Sequence, residues 1–205
     1  MKNKKIKIAI QKKGRLSNPS KEFLMSLGLK FPMNTKKLTL QCKNMPISLV
    51  KVRDDDIPKY VSEGAVDFGI VGLDVVKEME KKVKIIKKLG FSKCQMVIAV
   101  PRISDIRKIK DLEGKKIATS YHNILRTFLR KNQIRAKIVV VKGSVELAPY
   151  LKTADAVCDI TQTGTTLKAF NLIPFKTILR SQAVLIESPN INPNKKIFLN
   201  LCQKI

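Results

Sequence analysis

The sequence predicts an α/β fold of two lobes. Short apolar runs typical of strands alternate with amphipathic stretches typical of helices along all 205 residues, and this alternation favours βαβ units with parallel sheets. The runs amount to about twelve strands, which is more than one compact sheet usually holds. We therefore expect one lobe from residues 1–90 with 181–205 and another from 91–180, with a ligand in the cleft between them.

Helix-capping residues separate the apolar runs of the first lobe. Ser17-Asn18-Pro19 is typical of a helix start, with the proline at its first position, and Gly28 is typical of a helix end. The acidic run at 54–56 favours another helix start, because carboxylates stabilise a helix N-terminus. The expected strands are 6–10, 38–42, 47–52, 68–71 and 83–89, and the expected helices are 17–28, a short one from 54, and 73–81.

The second series of elements begins near residue 95. Ile124, Leu125, Phe128 and Leu129 share one helical face, so residues 123–131 are expected to form a helix. The expected strands are 96–100, 116–119, 138–141, 156–160, 174–179 and 183–186, followed by a closing helix at 194–204.

The charge of the chain has two interpretations. There are 41 basic and 16 acidic residues, a formal net charge of +25, which fits a polyanionic partner, either nucleic acid or a phosphorylated small molecule. We favour compositional drift as the main cause of the excess positive charge, because 33 of the basic residues are lysines scattered over the whole chain. Since aromatic residues are few and Trp is absent, stacking platforms for bases are scarce. A nucleic-acid partner is not expected.

The sequence indicates a cytoplasmic protein. No apolar run approaches the ~18 residues of a membrane span, and the basic N-terminus lacks the apolar region of a signal peptide. The four cysteines are widely spaced, and the lone His122 cannot complete a zinc set with them. No resident metal site is expected.

The most informative motif is the stretch 154–167. It predicts a strand, a hydroxyl-rich turn around Gly164, and a helix, an arrangement that aims backbone N–H groups and hydroxyls at one point and suits a phosphate. Asp155 and Asp159 precede the turn and can bind ribose hydroxyls or Mg²⁺. The alternative interpretation is a simple capped turn. We consider it the weaker one, because four threonines surround one glycine.

Three further segments carry candidate ligand contacts. The run 11–16 follows the first strand with Lys12 and Arg15 around Gly14, at the strand edge where α/β proteins usually bind ligands. Arg53 follows another strand, where its guanidinium can grip a phosphate. Glu146 falls in the first turn of a predicted helix, where it acts either as a cap or as a ribose or metal contact.

Taken in order, these segments resemble the ATP phosphoribosyltransferase family over most of the chain, from about Ile8 to Ser181. The residues that carry the resemblance are 11–16, 44–58, 67–72, 117–121, 143–149 and 155–167. The resemblance implies two lobes of the periplasmic-binding-protein type II fold with the active site in the cleft between them. It also implies transfer of the 5-phosphoribosyl group from phosphoribosyl pyrophosphate to N1 of ATP, the first step of histidine biosynthesis.

The resemblance also implies roles for individual residues. The phosphoribosyl group would be bound by Glu146, Asp155, Asp159, Thr161, Gln162, Thr163, Gly164, Thr165 and Thr166. ATP and pyrophosphate would be bound by Gln11, Lys12, Gly14, Arg15 and Asp74. The departing pyrophosphate needs cations more than the nucleophile needs a base, so Arg53 is expected to be the main catalytic residue, with Mg²⁺ carried by the substrate.

Three features depart from the family pattern. Gln162 stands where relatives usually have Ser, His122 stands where Pro is common, and the sequence ends at Ile205 without the histidine-binding C-terminal domain of the long form. A homo-oligomer is expected, and a separate regulatory subunit resembling histidyl-tRNA synthetase is a candidate partner. The main alternative function is a cytoplasmic solute-binding or sensing module of the same fold.

Overall fold

The computed structural model describes residues 5–32, 36–162 and 164–203. The chain forms two compact units: unit 1 is Met1–Ser92 with Gln182–Ile205, and unit 2 is Lys93–Ser181. No helix of the described ranges is long and apolar enough to cross a membrane.

The secondary structure is alternating α/β. The strands are β1 Ile6–Gln11, β2 Thr39–Gln41, β3 Ile47–Val52, β4 Phe68–Gly72, β5 Lys84–Lys88, β6 Cys94–Pro101, β7 Lys116–Thr119, β8 Lys137–Val140, β9 Ala156–Thr161, β10 Leu172–Ser181 and β11 Ala183–Glu187. The helices are α1 Ser17–Ser26, α2 Ile57–Ser62, α3 Leu73–Met79, α4 His122–Lys131, α5 Leu147–Tyr150, α6 Thr165–Ala169 and α7 Lys195–Gln203.

Each unit is built on one mixed sheet. Unit 1 has the strand order β2-β3-β1-β4-β11-β5, in which β1 runs parallel to both β3 and β4. Unit 2 has the order β10-β6-β9-β7-β8, in which β7 runs parallel to both β8 and β9. The expectation of parallel sheets is correct for these two triplets only. The remaining strands β2, β5, β6, β10 and β11 pair antiparallel with their neighbours. For β2 and β3 the connection is short and allows only antiparallel pairing.

The position of Pro19 in α1 and the start of α2 differ from the sequence prediction. Helix α1 begins at Ser17, so Pro19 is its third residue rather than its first. Proline is tolerated throughout the first turn, where N–H groups lack helical partners, so its position does not fix the start. Helix α2 begins at Ile57, after a turn at 54–56 in which the Ile57 N–H donates to the Asp54 carbonyl at 3.2 Å. In the closing helix, Lys204 lies outside the described residues.

The two faces of the unit 1 sheet bury separate apolar clusters. Alternation along β1 sends Ile8 and Ile10 to one face and Ala9 to the other. The first face packs against α1 and α7, where the rings of Phe68 and Phe198 lie 4.9 Å apart. The second face packs against α2 and α3. The sheet of unit 2 likewise buries one cluster on each face.

Buried polar side chains fix the segment before α7. The Lys195 Nζ donates to the carbonyl oxygens of Ser188 and Asn190, each at 2.6 Å. The Asn192 side-chain amide donates to Asp67, which also accepts the Lys7 N–H. These contacts lie at the edge of the sheet where β1 and β4 begin, which is opposite the candidate ligand loops. The network therefore stabilises the fold and does not belong to the candidate site.

Removal of the Phe198 ring tests whether α7 belongs to the core of unit 1. We expect Phe198→Ala to lower the free energy of unfolding by about 3–5 kcal/mol, because the ring is fully buried against Phe68. Urea denaturation measures this effect. Ile103→Ala, which truncates a side chain that is 95% exposed, is the control and should change it by less than about 0.5 kcal/mol. Equal effects of the two substitutions would contradict this packing.

Candidate active site

The parallel strands of unit 1 bring three loops to one edge of the sheet. The loop after β1, the turn after β3 and the start of α3 after β4 all begin at the carboxyl ends of adjacent strands. Gln11, at the end of β1, links two of them. Its side-chain oxygen Oε1 accepts the Leu16 N–H at 2.9 Å, and its side-chain Nε2 donates to Asp54 at 3.0 Å. The sequence analysis assigned Gln11 to a ligand, whereas its buried amide is occupied by the protein itself.

The backbone of this loop is shaped to receive an anion. Gly14 has φ +119°, and a Cβ there would lie 2.7 Å from the Gln11 side chain, so only glycine fits. The Ser17 hydroxyl donates a hydrogen bond to the Lys12 carbonyl oxygen at 3.1 Å. The N–H groups of Lys13 and Gly14 donate to no other described residue. Two adjacent N–H groups of this kind, with exposed lysines beside them, are typical of an anion cradle.

Arg15 and Asp74 face each other at this edge. The Arg15 Nη2 lies 2.9 Å from both carboxylate oxygens of Asp74, which is 1% exposed. The Arg15 Nη1 donates to the Ser92 carbonyl at 2.7 Å, and the Ser92 hydroxyl donates to the Arg15 carbonyl at 3.1 Å. Sequence reasoning placed both charged residues on a ligand and gave no signal for Ser92, because such pairing between distant positions leaves no local pattern.

Arg53 stands out from this network. It follows β3 directly and is exposed, and no hydrogen bond or ion pair joins its side chain to another described residue. The adjacent Lys12 N–H donates to the Val52 carbonyl at 2.7 Å, which sets Arg53 beside the loop after β1. An unpaired guanidinium next to an anion cradle is suited to bind phosphate oxygens.

The corresponding edge of unit 2 carries the hydroxyl-rich turn. Thr161 ends β9, and its hydroxyl accepts the Gly164 N–H at 2.9 Å. Gly164 adopts φ +76° and directly precedes the five-residue helix α6. Gln162, Thr165 and Thr166 are exposed around it, and Thr163 lies outside the described residues. The turn therefore presents several hydroxyl and amide groups to solvent at one point.

Glu146 and Asp159 form a carboxylate pair at this edge. Burial raises the pKa of Asp159 above its ordinary value of 3.8, the Ile160 N–H bonded to it acts in the opposite direction, and the negative charge of Glu146 raises the pKa again. The two groups therefore lie close enough to interact. Asp159 lies near the carboxyl end of β9, and Glu146 lies directly before α5 in the connection that leads from β8 to β9.

Asp155 lies at the other end of β9. It precedes the strand, is exposed, and accepts the Lys116 N–H at 2.7 Å. Six residues of strand, at ~3.3 Å each, separate it from Thr161 by roughly 20 Å. The structure therefore does not bring Asp155 to the turn, and it gives this carboxylate a role in pairing β9 with β7.

Sequence reasoning missed the hydroxyls that hold this edge together. The Thr119 hydroxyl donates to the Cys158 carbonyl and the Ser120 hydroxyl donates to the Val141 carbonyl, both at 2.7 Å. These bonds tie the end of β7 to its neighbours on both sides. The sequence indicated these two residues only as part of the segment 117–121 that carries the family resemblance, and by their position directly after an apolar run.

Comparison with known proteins assigns the family. The family model described as HisG: ATP phosphoribosyltransferase matches residues 53–205. The ATP phosphoribosyltransferase of Maricaulis maris is 43% identical over 188 residues, which cover 89% of this chain and 64% of the relative. That of Cytophaga hutchinsonii is 41% identical over 195 residues, covering 95% of this chain and 68% of the relative.

The chain belongs to the ATP phosphoribosyltransferase family. The expected transferase class and its place in histidine biosynthesis are thereby confirmed at the level of the family. The chain spans about two thirds of the length of these relatives. The family model covers Arg53 and everything after it, including the carboxylate pair and the hydroxyl-rich turn.

Solved structures confirm the predicted fold. The ATP phosphoribosyl transferase (HisG:HisZ) complex from Thermotoga maritima contains a chain with TM-score 0.81 and 30% identity, and the match covers 97% of each chain. The periplasmic aliphatic sulphonate-binding protein of Escherichia coli has TM-score 0.62 and 16% identity, covering 97% of this chain and 70% of its own. The second likeness shows the fold alone, which is the periplasmic-binding-protein type expected from the sequence.

The pH dependence of stability tests the environment of Asp159. Because its pKa is raised in the folded state, the unfolded chain releases the proton first, and stability falls as pH rises from about 3.8 through the folded pKa. We expect Asp159→Asn to be more stable than the wild type near neutral pH, with an advantage that shrinks toward about pH 4.

Urea denaturation at the two pH values measures this difference. Asp155→Asn removes a carboxylate from the exposed start of the same strand and is the matched control. An advantage of Asp159→Asn that is equal at both pH values would contradict the burial argument.

Proposed function

We propose that this chain transfers the 5-phosphoribosyl group from phosphoribosyl pyrophosphate to N1 of ATP and releases pyrophosphate. Membership of the family is the observation that carries the proposal. Two loops at the carboxyl ends of parallel strands support it, because each has the chemistry needed for one end of phosphoribosyl pyrophosphate. No feature of the described residues favours the sensing module.

The loops of unit 2 suit the phosphoribosyl end. The turn that contains Thr161, Gln162, Gly164, Thr165 and Thr166 offers hydroxyl and N–H donors to the 5-phosphate, and Thr163, which lies outside the described residues, is assigned to the same group from the family resemblance. Glu146 and Asp159 are acceptors for the ribose hydroxyls. Asp155 has no part in this proposal, because it lies at the opposite end of β9.

The loops of unit 1 suit the pyrophosphate and nucleotide end. Lys12, the N–H groups of Lys13 and Gly14, and Arg53 form a donor surface, and neither Lys12 nor Arg53 makes an ion pair with a described residue. Negative charge develops on the leaving pyrophosphate as its bond to ribose C1 lengthens. Arg53 therefore stabilises the transition state more than the bound substrate, which is the requirement for catalysis.

No general base is needed for this transfer. The attacking N1 of adenine has a lone pair and no proton to lose, so binding of the two anions in the correct orientation supplies much of the rate. Mg²⁺ enters with the pyrophosphate group of the substrate and adds positive charge to it. Among the described residues, no set of three or more metal-ligating side chains comes together.

We also propose a protein partner. The similar Thermotoga maritima chain was solved as part of a HisG:HisZ complex. A regulatory subunit resembling histidyl-tRNA synthetase, a homo-oligomeric enzyme and a cytoplasmic location complete the proposal.

Pyrophosphate release tests the proposed reaction. The purified chain with Mg²⁺, ATP and phosphoribosyl pyrophosphate should release pyrophosphate, and omission of either substrate should abolish the release, because the bond is broken by attack of adenine. Release that does not need ATP would contradict the transfer and indicate hydrolysis. A folded chain that neither releases pyrophosphate nor binds phosphoribosyl pyrophosphate would contradict the proposed substrate.

Substitution of Arg53 tests its catalytic role. Arg53→Ala should lower kcat by about 10²–10³-fold, the usual effect of losing one donor to developing negative charge. The midpoint of thermal unfolding should not change, because the side chain is exposed. Arg102→Ala, which removes another exposed arginine next to β6, is the matched control. A kcat of the Arg53 variant within twofold of the wild type would contradict this role.

A further inference from the structure

The two sheets end in four edge strands in the part of the chain that the structure describes, and three of these are protected against pairing with another chain. In unit 1, β2 has only three residues, and β5 carries three lysines among its five. In unit 2, β10 pairs with β6 through two irregularities in register. Short length, lysines and bulges are common ways to block a free edge. The fourth edge strand, β8, opens an unbroken apolar run at 138–141.

Strand β8 turns main-chain groups and an apolar side chain to solvent. It pairs in parallel with β7, and the N–H groups of Lys137 and Val141 donate to carbonyl oxygens of β7. Since successive residues of a strand point these groups to opposite sides, the N–H and C=O groups of Ile138 and Val140 point away from β7. No other strand of the described residues lies on that side. The Val140 side chain is 61% exposed.

Helix α4 adds a basic face beside this edge. Its apolar side chains are buried against the sheet, whereas Arg126 and Arg130 are exposed. Ile138 packs into the apolar cluster beneath this helix. Val140, two residues along the strand, therefore lies on the same face of the sheet as α4.

The charge of this region differs from the general excess of lysine. The sequence has no acidic residue between Glu113 and Glu146. Three of the eight arginines of the chain, at positions 126, 130 and 135, lie within ten residues. A guanidinium can bind a carboxylate through two parallel hydrogen bonds. The region therefore has the composition of a surface that binds carboxylates.

A second copy of this chain does not fit the edge. The antiparallel pairing that places residues 138–141 opposite the same residues of a copy also places Lys137 opposite Lys142 at both ends. Like charges directly opposite each other are destabilising, and two chains of formal net charge +25 repel each other. An edge with cations at both ends is instead complementary to a segment with anions at both ends.

We propose that the free edge of β8 and the arginine face of α4 form a docking site for a protein partner, which adds an extended segment with an apolar centre and carboxylates on both flanks. Main-chain pairing supplies affinity in this mode of recognition, and the side chains supply specificity. A nucleic acid fits less well, because its phosphates cannot pair with the alternating N–H and C=O groups of a strand. The proposal does not depend on the transfer reaction, because none of these residues is assigned to a substrate.

Binding of a short peptide tests this docking site. The probe is acetyl-Glu-Glu-Val-Thr-Val-Thr-Glu-Glu-amide, and the same peptide with lysine in place of each glutamate is the control. In an NMR titration of the full chain, the acidic peptide should shift the amide signals of Ile138 and Val140. It should bind at least about tenfold more tightly than the basic peptide. Equal binding of the two peptides, or no binding of the acidic one, would overturn the proposal.

Two changes to the protein test the main-chain pairing and the charge separately. Val140→Pro removes an N–H that points away from β7 and should abolish binding of the acidic peptide. Arg126→Glu with Arg130→Glu should weaken that binding at least about tenfold. The control, Arg102→Glu with Arg107→Glu, makes the same change of charge at other exposed positions of unit 2 and should keep binding within about twofold. Equal weakening by the two charge reversals would overturn the proposal, whether or not Val140→Pro folds.

Two further measurements test the other occupants. Single-stranded oligothymidylate that displaced the acidic peptide and shifted the same amide signals more strongly would overturn the proposal in favour of a nucleic acid. Sedimentation velocity tests the second copy. A concentration-dependent dimer that Val140→Pro converts to a monomer would overturn the proposal in favour of self-association, whereas we expect Val140→Pro to leave the sedimentation coefficient unchanged.

Discussion

Each of the two candidate ligand edges depends on the parallel alignment of three strands. In unit 1, β1 lies between β3 and β4, and in unit 2, β7 lies between β8 and β9. Parallel neighbours end at the same edge of a sheet, so loops that are far apart in sequence are delivered to one place. Gln11 and Arg15 in unit 1, and Thr119 and Ser120 in unit 2, then fix these loops against one another.

Charge pairing decides which groups remain for a ligand. Asp74 holds the guanidinium of Arg15, whereas Arg53 keeps its charge exposed to solvent. The excess of lysine in the chain does not make this distinction, because it is spread over the whole surface. The selective feature of unit 1 is one guanidinium without a partner among the described residues, beside two N–H groups without an acceptor. Unit 2 has the opposite character, with hydroxyls and a carboxylate pair that suit a sugar phosphate.

The sequence predicted the elements well where apolar runs were bounded by polar residues. Residues 47–52 and 116–119 are strands with the predicted bounds. The direction of the outer strands was not predictable, because periodicity is the same for parallel and antiparallel strands and only the connections decide it. The two-lobed fold of the periplasmic-binding-protein type came from the resemblance and is confirmed by the solved structures.

The sequence predicted which segments form the candidate site. It did not predict which residues within those segments contact one another. The resemblance singled out Arg15, Asp74 and Asp155 by type and position, but only the fold shows that the first two bond to each other and that the third lies at the far end of β9. Such pairing depends on tertiary structure, since 59 positions separate Arg15 from Asp74.

Hydrogen exchange in the presence of fragments of phosphoribosyl pyrophosphate is the most direct test of the assignment. It shows whether the loops of unit 1 bind the pyrophosphate end and the loops of unit 2 bind the ribose 5-phosphate end. With ribose 5-phosphate alone, residues 159–166 should be protected and residues 11–16 should not. With magnesium pyrophosphate alone, residues 11–16 and the backbone around Arg53 should be protected, and the turn of unit 2 should exchange as before. The assignment would be contradicted if both fragments protected the same peptides, or if neither fragment protected either set of residues.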